Sequence, residues 1–269
     1  MSRPSTIPSR ARTPLLAGAA LATALIAHPA AAAPISDLQA KAEAGAASAQ
    51  MSLGLAFYKG DEAPADLDRA IAWFRKAANQ GYAPAEAMLA TLYADGAGLP
   101  TDHKQSIFWT KRAAGHGLPE AEVALGKADL EGRDVRRDER EAVRWFQAAA
   151  AQGHAEGQRL LGEAYLNGQG VAQDRAKALA LLQAAADKGD ATAQDEVGRL
   201  YEDGGALPLD LVQARKWFVL ASNNCKTWRV CDAANRDGLR VKAKMSVIEI
   251  EASDKVVHAW SANRTLPEG

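Results

Sequence analysis

The chain is 269 residues long, 48% hydrophobic and 24% charged, with 32 Lys and Arg against 33 Asp and Glu. A near-neutral balance with interspersed signs leaves no electrostatic footprint for nucleic acid. Beyond residue 33 no apolar run approaches the roughly 20 residues that a membrane-crossing helix needs.

Residues 1–33 read as a secretory signal peptide. Arg3, Arg10 and Arg12 form a basic leader, Leu15 to Ala27 an apolar run, and His28-Pro29 a break before Ala30 to Ala33. That order is what a signal peptidase recognises. The bond cut is open within Ala30–Ala33, since Pro34 is a poor residue to follow it, and a buried N-terminal helix is the alternative reading. No Cys follows the run to accept a lipid. The leader carries three basic residues and no acidic one, so its removal leaves a net charge of about −4. An alanine-rich leader of this kind points to the periplasm, with extracellular release as the alternative. Residues 34–44 then resemble the tail of a helix, with Leu38, Ala40 and Ala42 apolar or small, and are expected to form a partial N-terminal cap.

Five blocks follow, at 45–80, 81–116, 117–152, 153–188 and 189–224. Gly45, Gly81, Gly117, Gly153 and Gly189 open them at a spacing of 36 residues, and a fixed period of this size marks a solenoid. Small and apolar residues recur at offsets 4, 8 and 12, as in Ala85, Leu89 and Tyr93, one face of a first helix. A second glycine set (Gly60, Gly96, Gly132, Gly168, Gly204) stands where a left-handed residue ends that helix. Asp66, Asp102, Asp138, Asp174 and Asp210 then cap a second helix. Asp138 with Glu141 has capping-box spacing, as do Gln105 and Gln213 with their aspartates. The second helix carries Trp73, Trp109, Trp145, Leu181 or Trp217. These indoles are expected to pack between neighbouring units, rather than form a ligand-stacking row. The small residue after each first-helix leucine (Gly54, Ala90, Gly126, Gly162, Gly198) is expected to let helices approach closely. One helix pair cannot bury its own apolar face, so stability must come from stacking.

Residues 225–262 are expected to form a C-terminal capping pair. Asp232 to Lys244 reads as a sixth first helix, and Ser246 to Glu249 has capping-box spacing. Ile248, Ala252, Val256 and Trp260 form a stripe that would close the stack, before a frayed tail at 263–269. Cys225 and Cys231 lie at the junction. In an exported protein such a pair favours a disulfide over two free thiols, and five intervening residues argue against a redox-active motif, which has two. The histidines after the leader are His103, His116, His154 and His258, none paired at metal-ligand spacing. His116 and His154, about one repeat apart, could share a metal but read better as turn residues. No phosphate loop or acyl-transfer nucleophile motif is visible, so no catalytic residue, metal or cofactor is assigned.

Gly45-x-Ala-x-Ala-Gln50, Leu161-Gly162-x-x-Tyr165, Gly168-Gln-Gly-Val-Ala-Gln-Asp174 and Trp145-x-x-x-Ala-Ala-x-x-Gly153 together resemble Sel1-like repeats, relatives of tetratricopeptide repeats, continuously from Gly45 to Asn224. The third block departs from the pattern, with Asp129 for the tyrosine and Asp134 for a loop glycine. The resemblance implies an all-α, right-handed superhelical solenoid of helix-turn-helix repeats, an adaptor that binds a protein or extended peptide without a cofactor. It also implies that the first helices line a concave face. The partner-binding residues expected there are Met51, Leu55, Thr91, Lys127, Arg159, Glu163, Asp195 and Arg199, apolar near the N-terminus and charged near the C-terminus. An ordinary solvated helix face is the alternative. Exported relatives also imply other roles, namely a cell-envelope or peptidoglycan-associated factor, a spacer in an envelope assembly, or a β-lactam-binding, weakly hydrolytic enzyme. The oligomeric state stays open.

Overall fold

The structure, a computed structural model, describes residues 35–60, 65–204 and 208–262. The expected signal peptide and tail lie outside the described residues. Among the described residues there are thirteen helices and no strand. The chain divides into two compact units, Met1–Leu125 and Gly126–Gly269. The first holds α1 (Ile35–Glu43), α2 (Ala47–Lys59), α3 (Leu67–Asn79), α4 (Ala83–Asp95) and α5 (His103–Gly115). The division falls within α6 (Pro119–Glu131). The second unit continues with α7 (Glu139–Ala151), α8 (Ala155–Asn167), α9 (Arg175–Asp187), α10 (Ala191–Asp203), α11 (Leu211–Asn224), α12 (Trp228–Lys242) and α13 (Val247–Ala262). In each unit consecutive helices pack on one another, and α13 folds back onto α11. The fold is all-α, tandem helix-turn-helix packing of the solenoid class.

The turns repeat because the same local chemistry recurs. α2, α4, α8 and α10 each end at a glycine in the left-handed region, with φ between 65° and 76° at Gly60, Gly96, Gly168 and Gly204. The aspartates expected as N-caps accept from backbone N–H groups of the following turn, for example Asp138 from Arg140 and Glu141 at 3.0 and 3.1 Å. The expected capping box at Asp138 is only half formed. The Asp138 N–H donates instead to the Asp129 carbonyl at 2.8 Å, and Asp66, Asp102, Asp174 and Asp210 make the same bond back to the first helix. With that donor occupied, the Glu141 carboxylate turns to Arg144 at 3.0 Å. A reciprocal box does form at the start of α13: the Ser246 N–H donates to Glu249 at 2.7 Å and the Glu249 N–H to Ser246 Oγ at 3.3 Å. Asp134 adopts φ 57° where the other loops place Gly98 and Gly170, a conformation that aspartate tolerates better than most side chains.

Packing adds detail to two expectations. The glycine after the leucine lets the two helices approach, since a methyl on Gly54, Gly126 or Gly162 would come within 3.1–3.2 Å of the Ala70, Ala142 or Ala178 carbonyl oxygen, and it also makes room for one side chain. A methyl group on Gly54 would sit 2.5 Å from the Phe74 ring, and Gly126, Gly162 and Gly198 stand in the same relation to Phe146, Leu182 and Phe218. The α4–α5 pair solves the same volume problem in reverse, with Ala90 on the first helix and Thr110 at the position of Phe74, both buried. The space opposite each first-helix position is thus filled by the residue after the tryptophan position, while Trp73 and Trp217 pack against the preceding block as expected. Trp217 is enclosed, but Trp73, Trp109 and Trp145 are only partly buried. Trp73 lies against Ala42, Ala49 and Leu53 of the preceding helices, with the Lys76 ammonium 3.7 Å from its ring centre.

The C-terminal pair also differs in register. α12 starts at Trp228, four residues before the expected Asp232. Cys225 occupies the place of a sixth turn glycine, but in extended conformation (φ −67°, ψ 140°). It is bonded to Cys231 in the first turn of α12, with their Cα atoms 5.5 Å apart. The stripe of α13 that packs inward is Ser253, Val257 and Trp260, with Trp260 edge-on to Trp217 at 6.2 Å. Ile248, expected to help close the stack, points outward and is 79% exposed. The apolar residues of α13 outnumber the inward positions, so periodicity alone selects the wrong stripe.

Candidate functional site

The first helices carry the residues expected to meet a partner. In the first unit that stripe is largely consumed by packing. Met51 is 4% exposed and belongs to the core with Phe74, Met88 and Leu89. Thr91 is buried, its hydroxyl donating to the Ala87 carbonyl at 3.1 Å. Leu55 is partly buried against the same core. The stripe here offers Leu55, Lys59 and Asp95 at its surface rather than Met51 or Thr91.

In the second unit the charged residues are brought together in a ladder that crosses four helices. Lys127 on α6 pairs with Glu156 on α8. Arg159, one turn on, pairs with Glu163, with Glu156 at 3.5 Å and with Asp190, the N-cap of α10, at 3.4 Å. Arg199 holds Asp195 at 2.7 Å and Asp237 on α12 at 3.1 Å. Arg240 joins Asp237 at 2.6 Å and Glu202, which also takes Lys244 at 2.8 Å. Burial would raise the Glu156 carboxyl, but Lys127 and Arg159 outweigh it and hold it below its usual range. The hydrogen bond from Arg240, helped by Lys244, draws Glu202 down to about 2. Glu196 goes the other way: burial, then the hydrogen-bonded neighbour Glu163, push it up to about 8. Two carboxyl groups in contact keep one proton between them, because both cannot ionise at that distance.

Sequence reasoning named Lys127, Arg159, Glu163, Asp195 and Arg199 of this ladder and missed Glu156, Asp190, Glu196, Glu202, Asp237, Arg240 and Lys244. The pairs within one helix, Arg159–Glu163 and Asp195–Arg199, have the i, i+4 spacing that could have revealed them. The pairs between helices are 29 to 42 residues apart, near one repeat period.

Elsewhere polar groups are absorbed structurally. In the first unit the fully buried Glu86 carboxylate lies 2.9 Å from Arg112 Nε and 2.8 Å from His116 Nδ1. In the second, His154 caps α8 by accepting from the Gly157 N–H at 3.3 Å. The two histidines weighed as a metal pair thus each have a partner in their own unit. Among the described residues no cluster of three or more His, Cys, Asp or Glu side chains is placed to hold a metal. No described helix is long and apolar enough to cross a membrane. A shallow cavity of about 400 Å³ lies where α8, α10 and α12 begin, lined by His154, Glu156, Lys188, Asp190, Lys226 and Thr227 among others.

Comparison with known proteins agrees with this architecture. The crystal structure of c5321, a protective antigen present in uropathogenic Escherichia coli strains displaying an SLR fold, is similar at a TM-score of 0.68 and 32% identity. The match covers 78% of this chain and 49% of that one, so this chain spans about half of that protein's length. A Sel1 repeat protein from Oxalobacter formigenes is similar at a TM-score of 0.57 and 31% identity, over 67% of this chain and 72% of that one. No curated protein matches the chain. The Sel1 repeat family model matches residues 47–82, 83–118, 119–154, 155–190 and 191–224. Proteins of that kind are generally protein-interaction scaffolds. With five repeats matched in tandem and the helix pairs stacked as that repeat requires, the chain belongs to the Sel1 repeat family.

Proposed function

We propose that this chain is an exported, non-catalytic scaffold that holds a peptide or protein segment along its first helices. The observation that carries the reading is the ladder of the second unit. Its cations and carboxylates are ordered by one another across α6, α8, α10 and α12, yet Lys127 and Arg199 keep 38% and 49% of their side chains open to solvent. Pre-ordered side chains of both signs lose little entropy when a partner docks, which favours specific capture of an extended segment. The leader expected at 1–33 supports export, and a disulfide suits an oxidising compartment.

Affinity capture from the exported fraction tests this, comparing the protein with a Lys127→Glu, Arg199→Glu double variant. Arg159 is a poor probe, being 14% exposed and committed to three carboxylates. The double variant should lose the co-purifying partner while its helical circular dichroism stays unchanged. Undiminished capture would refute the face, and turnover of a chromogenic β-lactam by rigorously purified protein would refute the non-catalytic reading.

A further inference from the structure

The C-terminal pair leaves an apolar surface that the rest of the described chain does not cover. Trp228 is 76% exposed, Leu239 67%, Val247 72% and Ile248 79%, and all four belong to α12 and α13. Their placement is not scattered. α12 meets α10 through Asp237, Arg240 and, just beyond its end, Lys244. At about 3.6 residues per turn, Trp228 and Leu239 share one stripe roughly opposite that contact. α13 meets α11 through Ser253, Asp254 and Trp260, and Ile248 again lies roughly on the opposite side. Both helices therefore turn large apolar residues toward the position that a following helix pair would occupy. In the pair before, α10 and α11 are covered at that position. Glu202 of α10 reaches Arg240 and Lys244, and Leu211 of α11 packs with Val241 and Met245.

Charge identifies the occupant. With Asp237 and Arg240 committed to α10, α12 offers Arg229, Arg236 and Lys242 against Asp232, three cations and one anion, a net +2. With Asp254 already held by Arg215 of α11, α13 offers Glu249 and Glu251 against Lys255, a net −1. A surface made of one basic and one acidic helix beside an apolar strip is complementary to itself when rotated by a two-fold axis. The basic helix of one copy then meets the acidic helix of the other, the isologous arrangement of most homodimers. We propose that α12 and α13 form a homodimerisation surface, on which a second copy of this chain buries Trp228, Leu239 and Ile248 and pairs its α13 with the first copy's α12. This goes beyond the scaffold reading and does not depend on it. A two-fold pair would present two ladders in one particle.

Sedimentation equilibrium of the purified full chain over a wide concentration range reads the result directly. The unaltered protein should show a reversible monomer–dimer equilibrium. A Leu239→Asp, Ile248→Asp variant should be monomeric over the same range, with unchanged helicity, because both side chains stand in solvent in the single copy. Arg236→Glu and Glu251→Arg, both at exposed positions, should each weaken self-association at least tenfold. An equimolar mixture of those two variants should recover dimer, because swapped charges meet across the axis. A chain that stays monomeric at every concentration overturns the proposal, as does a dimer that survives Leu239→Asp, Ile248→Asp or a mixture that fails to recover. Undiminished partner capture by the Lys127→Glu, Arg199→Glu variant, with dimerisation intact, would count against the ladder alone.

Discussion

Replacing Gly54 with alanine gives a sharp test of how these helix pairs are packed. Glycine in a helix interior costs about 0.5–1 kcal/mol relative to alanine, so local propensity predicts that Gly54→Ala stabilises the protein. The tertiary structure predicts the reverse. The new methyl would lie 2.5 and 2.7 Å from two carbons of the Phe74 ring and 3.2 Å from the Ala70 carbonyl oxygen. Phe74 is fully buried, so the ring has no free volume to enter. Overpacking of this kind costs about 1–3 kcal/mol, and after the propensity gain the net loss should be about 1 kcal/mol. The chain contains its own control in Ala90 and Thr110, which pair a methyl on the first helix with a smaller side chain on the second. Phe74→Thr alone should cost about 3–4 kcal/mol through lost burial and a cavity. In that background Gly54→Ala should change sign and stabilise by about 0.5–1 kcal/mol, so that the pair is coupled by about 2 kcal/mol. Urea unfolding followed by circular dichroism on the four proteins measures the cycle. A stabilising Gly54→Ala in the unaltered protein, or strict additivity of the two changes, would show that the ring and the glycine are not competing for one space.

Reducing the Cys225–Cys231 bond, or replacing both cysteines with serine, should lower stability by about 2 kcal/mol, as expected for so short a closed loop. Comparing unfolding midpoints with and without reductant checks it, and only the unaltered protein should respond. The Glu163–Glu196 pair gives a pH signature. With Glu196 raised to about 8 from an unfolded value near 4.5, the folded state binds more protons between those values. Its contribution is therefore fully present below about 4.5 and is lost as the pH climbs through 8. Arg159 and Arg199 oppose the shift. Glu196→Gln keeps a hydrogen-bond donor for Glu163 and should flatten the decline in thermal midpoint between pH 5 and 8 (~3 pH units of titration). An identical slope in the variant would assign the decline to other groups.

Much of the molecule is legible in its sequence because its rules are local. The 36-residue period, the left-handed glycines ending first helices and the aspartates opening second helices involve contacts within a few residues of one another. They leave their mark directly in residue order. The candidate face was only half legible. Arg159–Glu163 and Asp195–Arg199 follow from helical spacing, but Met51 and Thr91 sit on the same stripe and are consumed by the core. Composition does not distinguish a stripe residue that meets solvent from one that meets the next helix.

The sequence by itself thus determined the helix pairs, their turns and the repeat register, since each is set by backbone hydrogen bonds and φ preferences over a handful of residues. Only the tertiary structure decided which stripe of α13 faces inward, which residue fills the space opposite each first-helix glycine, and how Glu202 comes to be shared by Arg240 and Lys244. Those outcomes depend on volumes and charges supplied by residues a full repeat away, and no local preference carries that information.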